Sequence, residues 1–157
     1  MVRAGLIALG LVISMAGAAG LAQADDDTIK VDIPGHGTYR IGTPSVHNFS
    51  KLMFASSGGY SQYAMGTDAG LISFVGGKDF QPSASEYILD VSQIISVNPN
   101  MQMNHLKASG QCVMRQSEAG DIVFSVECHA VTDLGDAEMT YKGNGKKVTI
   151  THGTSTP

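Results

Sequence analysis

Met101–Gln116 (MQMNHLKASGQCVMRQ) and Ile122–Thr132 (IVFSVECHAVT) are the stretches whose reading decides the fold. In the second, Ile122, Phe124, Val126, Cys128 and Ala130 alternate with Val123, Ser125, Glu127, His129 and Val131, the two-residue period of a strand. Glu118-Ala119-Gly120-Asp121, between the two arms, has the chemistry of a hairpin turn. A three-residue loop at Ala119–Asp121 sets Glu118 against Ile122, Met114 against Val126, and Cys112 against Cys128. Opposed Cβ atoms lie about 4.5–5.5 Å apart and a disulfide needs about 3.8 Å. The pair therefore belongs at a close, non-hydrogen-bonded site. A bridge between two sheets is the alternative use of the same two thiols.

Outward from this hairpin the chain reads as further short strands. Thr28–Ile33 alternates Ile29, Val31 and Ile33 with polar residues, Pro34-Gly35-His36-Gly37 reads as a turn, and Thr38–Ile41 returns as a second strand. Thr43-Pro44 has the form of a helix start. Val46, Phe49, Leu52 and Met53 follow at helical spacing, with Gly58-Gly59 as the stop. Tyr60–Asp68 reads as loop or irregular strand, and Leu71–Val75 as a buried strand. Residues 85–97 fit either period. As a strand, Tyr87, Leu89, Val91, Ile95 and Val97 share a face broken at Gln93. As a helix, Tyr87, Ile88, Val91, Ile94 and Ile95 form a stripe. The Ile, Val, Tyr and Ser content favours the strand. Ala137–Tyr141 and Lys147–Thr151 flank Lys142–Lys146 as a second hairpin. About seven strands result. The expected fold is mainly β: a small antiparallel sandwich or barrel-like domain with at most one or two short helices, stabilised by one disulfide.

The chain start reads as a leader. Arg3 precedes an uncharged apolar run from Ala4, and Ala22-Gln23-Ala24 places small residues where a signal peptidase cuts. Residues 1–24 are thus expected to be a cleaved signal peptide, and 25–157 a single domain whose ends, 25–27 and 153–157, are disordered. An uncleaved anchor is the rival, but the strongly apolar part is short and Gly and Ala dominate the rest. The product is expected in the periplasm or secreted, with no membrane insertion after cleavage, and two cysteines in an exported domain point to a disulfide. Once Arg3 leaves the 10 basic residues, 9 face 14 acidic ones and the net charge moves from −4 to −5. That balance argues against a nucleic-acid partner, whose footprint is basic.

Three functional readings follow. Ser56–Tyr63 (SSGGYSQY) has the composition of an adaptable binding loop, with Tyr60, Gln62 and Tyr63 as contact candidates. It supports a binding or interaction module with an extracytoplasmic protein as partner. Met101, Met103 and His105 would share one face of a strand, and thioether with imidazole suits Cu(I), so a soft-metal (copper) carrier is the alternative. The competing explanation makes both methionines core gap-fillers. The third reading is an enzyme whose site assembles only in the folded chain. Neither a nucleophile elbow, nor a zinc-protease helix motif, nor a phosphate loop, nor Cys-x-x-Cys occurs in the sequence.

Overall fold

The structure, a computed structural model, describes residues 27–154. The leader expected at 1–24 and the chain ends 25–26 and 155–157 lie outside the described residues. Among the described residues every element is a strand: β1 (Asp27–Ile41), β2 (His47–Ser57), β3 (Tyr60–Thr67), β4 (Gly70–Gly76), β5 (Lys78–Ser83), β6 (Glu86–Val97), β7 (Met103–Gln116), β8 (Val123–Thr132), β9 (Gly135–Gly143) and β10 (Thr149–Thr154). Each strand pairs antiparallel with the next around the circuit β1-β2-β3-β4-β6-β7-β8-β9, and β9 returns to β1 from Gly35↔Gly143 to Ile41↔Ala137. The fold is a closed eight-stranded antiparallel barrel. Closure removes the free edges that an open sheet leaves.

Two strands are additions to the circuit. β5 continues β4 along the same edge of β6, beyond the point where β4 ends. β10 does the same for β9 on β1, running from Asp27↔Thr154 to Asp32↔Thr149. The hairpin expected at Lys142–Lys146 is therefore absent. One edge of β9 is taken by β8 and the other by β1, so no edge remains for β10. The termini expected to fray at Asp27, Gly153 and Thr154 are instead paired with each other's strand.

Bulges account for three further differences. The expected turn at Pro34–Gly37 is a bulge inside one continuous β1. Cβ atoms added at Gly35 and Gly37 would stand 2.9 and 2.8 Å from carbons of the Tyr141 ring, so that ring lies flat on a glycine strip. The Tyr141 hydroxyl donates to the Ile33 carbonyl at 2.7 Å and fastens β9 across the bulge. The helix expected from Thr43 is β2. The irregularity there separates the inward Phe49 and Leu52 by three residues, which imitates a helical stripe. In β6 the strand reading holds, but a shift between Val91 and Gln93 turns Ile94 inward and sends Ile95 and Val97 outside. Tyr60–Thr67, read as loop or irregular strand, is the regular strand β3.

Eight strands enclose a space that side chains just fill. Tyr63, Met65, Phe74, Leu89, Val126, Met139 and Tyr141 are all fully buried within it. Cys112 and Cys128 face each other there as expected, bonded through sulfur with Cα atoms 3.9 Å apart. Such a bond belongs to a non-reducing, extracytoplasmic environment.

Candidate functional site

Because the interior is packed, a partner must be sought on the outside of the barrel. The registers align outward residues of six strands into rows. One row runs Lys30, Ala55, Gln62, Val75, Gln93, Lys107; the next runs Asp32, Met53, Ala64, Ser73, Ile95, His105; the third runs Pro34, Lys51, Gly66, Leu71, Val97, Met103. In the middle of this wall small residues meet. Ala64 is 2% exposed and Ser73 3%, although both point out of the barrel, because Met53 and Ile95 overtop them on either side. The result is a trough along β3 and β4 with a floor of small residues and apolar walls.

Two shallow grooves run over the wall and meet at Met53. The upper is lined by Lys30, Ala55, Tyr60, Gln62, Val75 and Gln93, and the lower by Pro34, Lys51, Ala64, Gly66, Leu71 and Lys146 among others. Tyr60, 57% exposed, closes the upper end. Of the three loop residues singled out from composition, Tyr60 and Gln62 face this wall, whereas Tyr63 points inward and is wholly buried. Tyr63 is therefore part of the core and not a contact residue. A third groove over β1, β2, β3 and β9 is lined mostly by polar side chains, including Thr38, Asn48, Ser50 and Lys142. Exposed Phe124 and Val131 on β8 stand on either side of Glu127 and His129, so charge interrupts them.

At the end of the barrel where β5 crosses, Asp79 gathers hydroxyls. Ser61 donates to Asp79 Oδ2 at 2.6 Å, and the Tyr87 hydroxyl donates to the same oxygen. Burial first, then the bond to Asp79, raises the Tyr87 phenol above its ordinary range. The Tyr63 phenol is raised by its burial and by the nearby Tyr87 and Asp79. The Tyr63 hydroxyl has no hydrogen-bond partner among the described residues. The rings of Tyr63 and Tyr87 both pack on Phe54, with centroids 5.3 Å from it. This cluster ties β3, β5 and β6 together. It was not legible beforehand, since β5 (KDFQPS) is exposed throughout and carries no alternation.

Met101, Met103 and His105 are divided by the fold. Met103 and His105 point outward from β7 at the margin of the wall. Met101 sits in the preceding turn with φ of 61°, held by bonds from the Asn100 and Gln102 amides to Asn98 Oδ1. Met101 is 82% exposed and Met103 58%, so neither fills the core. His105 Nδ1 lies 3.3 Å from Gln93 Oε1. Comparison of the chain with known protein families, curated proteins and solved structures finds no match.

Proposed function

We propose that the protein is an exported binding module, periplasmic or secreted after loss of its leader, whose recognition surface is the outer wall of β1, β2, β3, β4, β6 and β7. The observation that carries this reading is the sunken floor of small residues at Ala64 and Ser73, framed by the apolar Met53 and Ile95 and headed by Tyr60 and Gln62. Small residues at the bottom of a trough and a large amphipathic ring at its end suit recognition of another protein. Charged outward residues on β8 and β9, among them Glu127, Glu138 and Lys142, support a barrel that faces water, since lipid-facing strands carry an apolar band outside. A binding role is favoured over catalysis because the Ser61 and Tyr87 hydroxyls are both committed to the Asp79 carboxylate in tying three strands together.

The test is capture from extracytoplasmic extracts with the mature domain and two arginine variants. Leu71→Arg blocks the foot of the trough at an exposed position, and Thr140→Arg places the same charge on the far wall. Partners retained by wild type and Thr140→Arg but lost by Leu71→Arg support the reading. Equal capture by all three refutes it.

The copper-carrier reading rests on one observation, the exposure of Met101, Met103 and His105 in the turn and first residues of β7. Titration with Cu(I) under reducing conditions should then show one ion bound and the site lost in Met103→Leu. Absence of stoichiometric uptake removes this alternative.

A further inference from the structure

The wall differs from the rest of the molecule in charge, and this points to the chemistry of what it binds. The mature chain is acidic, yet the three rows of the wall hold Lys30, Lys51 and Lys107 against a single carboxylate, Asp32. Lys146 stands beside the lower groove as well. Among the described residues none of these four lysines has a carboxylate within 4.0 Å, and neither do Lys78 and Lys142 off the wall, whereas Arg40, Arg115 and Lys147 are each paired with one. Lysines are thus left unneutralised around an apolar trough, while acidic residues such as Glu127, Asp136 and Glu138 collect on the opposite side.

Resting on the recognition surface described above, we propose that its occupant is an amphipathic protein segment with an apolar ridge and acidic flanks. The ridge lies over Ala64 and Ser73, and the flanks meet Lys30 and Lys51 on one side and Lys107 on the other. Shape favours a segment of protein over a lipid surface. The floor of small residues is recessed between Met53 and Ile95, so a protruding ridge reaches it and a flat membrane does not. Such helix-in-groove recognition buries one apolar stripe and leaves charged flanks at the rim, where they choose the partner and hasten encounter.

Two synthetic helical peptides of about five turns test this, sharing one apolar stripe and carrying either Glu or Lys on both flanks. Binding to the mature domain is read by fluorescence anisotropy at low and high salt. The Glu peptide should bind about tenfold tighter, the order that three exposed ion pairs supply, and salt should erase the difference. The triple variant Lys30→Glu/Lys51→Glu/Lys107→Glu should reverse the preference, with far-UV circular dichroism verifying its fold. Equal binding of the two peptides, or a preference unchanged in the triple variant, overturns the proposal. So does equal or tighter binding to anionic phospholipid vesicles, or a homodimer that Leu71→Arg dissociates. If Leu71→Arg loses captured partners while the peptides bind alike, only the acidic occupant is wrong. If that variant also captures normally, the recognition surface itself is wrong.

Discussion

Replacing Cys112 and Cys128 together by alanine should cost the barrel a large part of its stability. The bridge spans a sequence separation of 16, and closing a loop of that length in the unfolded chain is worth ~3 kcal/mol by the chain-entropy argument. Both sulfurs also lie in the core, where Cys112 opposes Leu89 on β6 and Cys128 opposes Met139 on β9. Removing each leaves a small void at about 1 kcal/mol apiece. The combined loss is about 5 kcal/mol, set against the roughly 5–15 kcal/mol of a typical domain. In a chain of this size that corresponds to a fall in Tm of roughly 15 °C or more. Urea and thermal unfolding of the oxidised wild type and the double variant measure it directly. The double serine variant should fall further, because two hydroxyls would be buried among apolar side chains. If the alanine pair unfolds within about 1 kcal/mol of wild type, the bridge does not constrain the unfolded chain as argued.

Gly37→Ala should destabilise by at least about 2 kcal/mol, since its methyl would run into the Thr140 carbonyl oxygen as well as the Tyr141 and Phe49 rings. Gly59→Ala meets nothing within 4 Å and should cost about 1 kcal/mol, for its positive φ alone; urea midpoints separate the two. The Arg40 guanidinium, hydrogen-bonded to Glu138 at 2.8 Å through both oxygens, holds that carboxyl below its usual range. A lowered folded pKa means stability present at neutral pH and lost as pH falls through the acid range, so Arg40→Met should flatten the profile of urea midpoint against pH below about 4. Burial pushes the Tyr141 phenol up to about 12 and raises Tyr63 and Tyr87 as well. A raised phenol stabilises the fold below the unfolded pKa of about 10 and loses that contribution above it. Ultraviolet titration should therefore show these three ionising together with unfolding on the alkaline side.

What the sequence made legible was the local pattern. The hairpin register of β7 and β8 holds from Arg115↔Ser125 down to Ala108↔Thr132, and slips only beside the turn at Gln116↔Val123. Alternation was strong there because one face is core and the other water. Where a bulge interrupts alternation, as between Phe49 and Leu52 or Val91 and Ile94, the inward residues fall three apart and a strand takes on the look of a helix. β5 gave no signal because none of its side chains is buried. The functional surface was half visible. Tyr60 and Gln62 stood out by composition, but Ala64 and Ser73 are unremarkable residues whose meaning comes from six registers brought side by side. Closure of the barrel, which takes the last edge of β9 and moves β10 onto β1, is likewise a property of the whole circuit.

Site-specific photo-crosslinking tests the central claim most directly, with the photoreactive residue placed in turn at Gln62, Leu71, Ile95, Glu127 and Thr140 of the exported protein. Adducts of one discrete mass should form from the first three positions, which lie on the lysine-rimmed wall, and not from the last two. The same adducts from Glu127 or Thr140, or none from the wall, would contradict it.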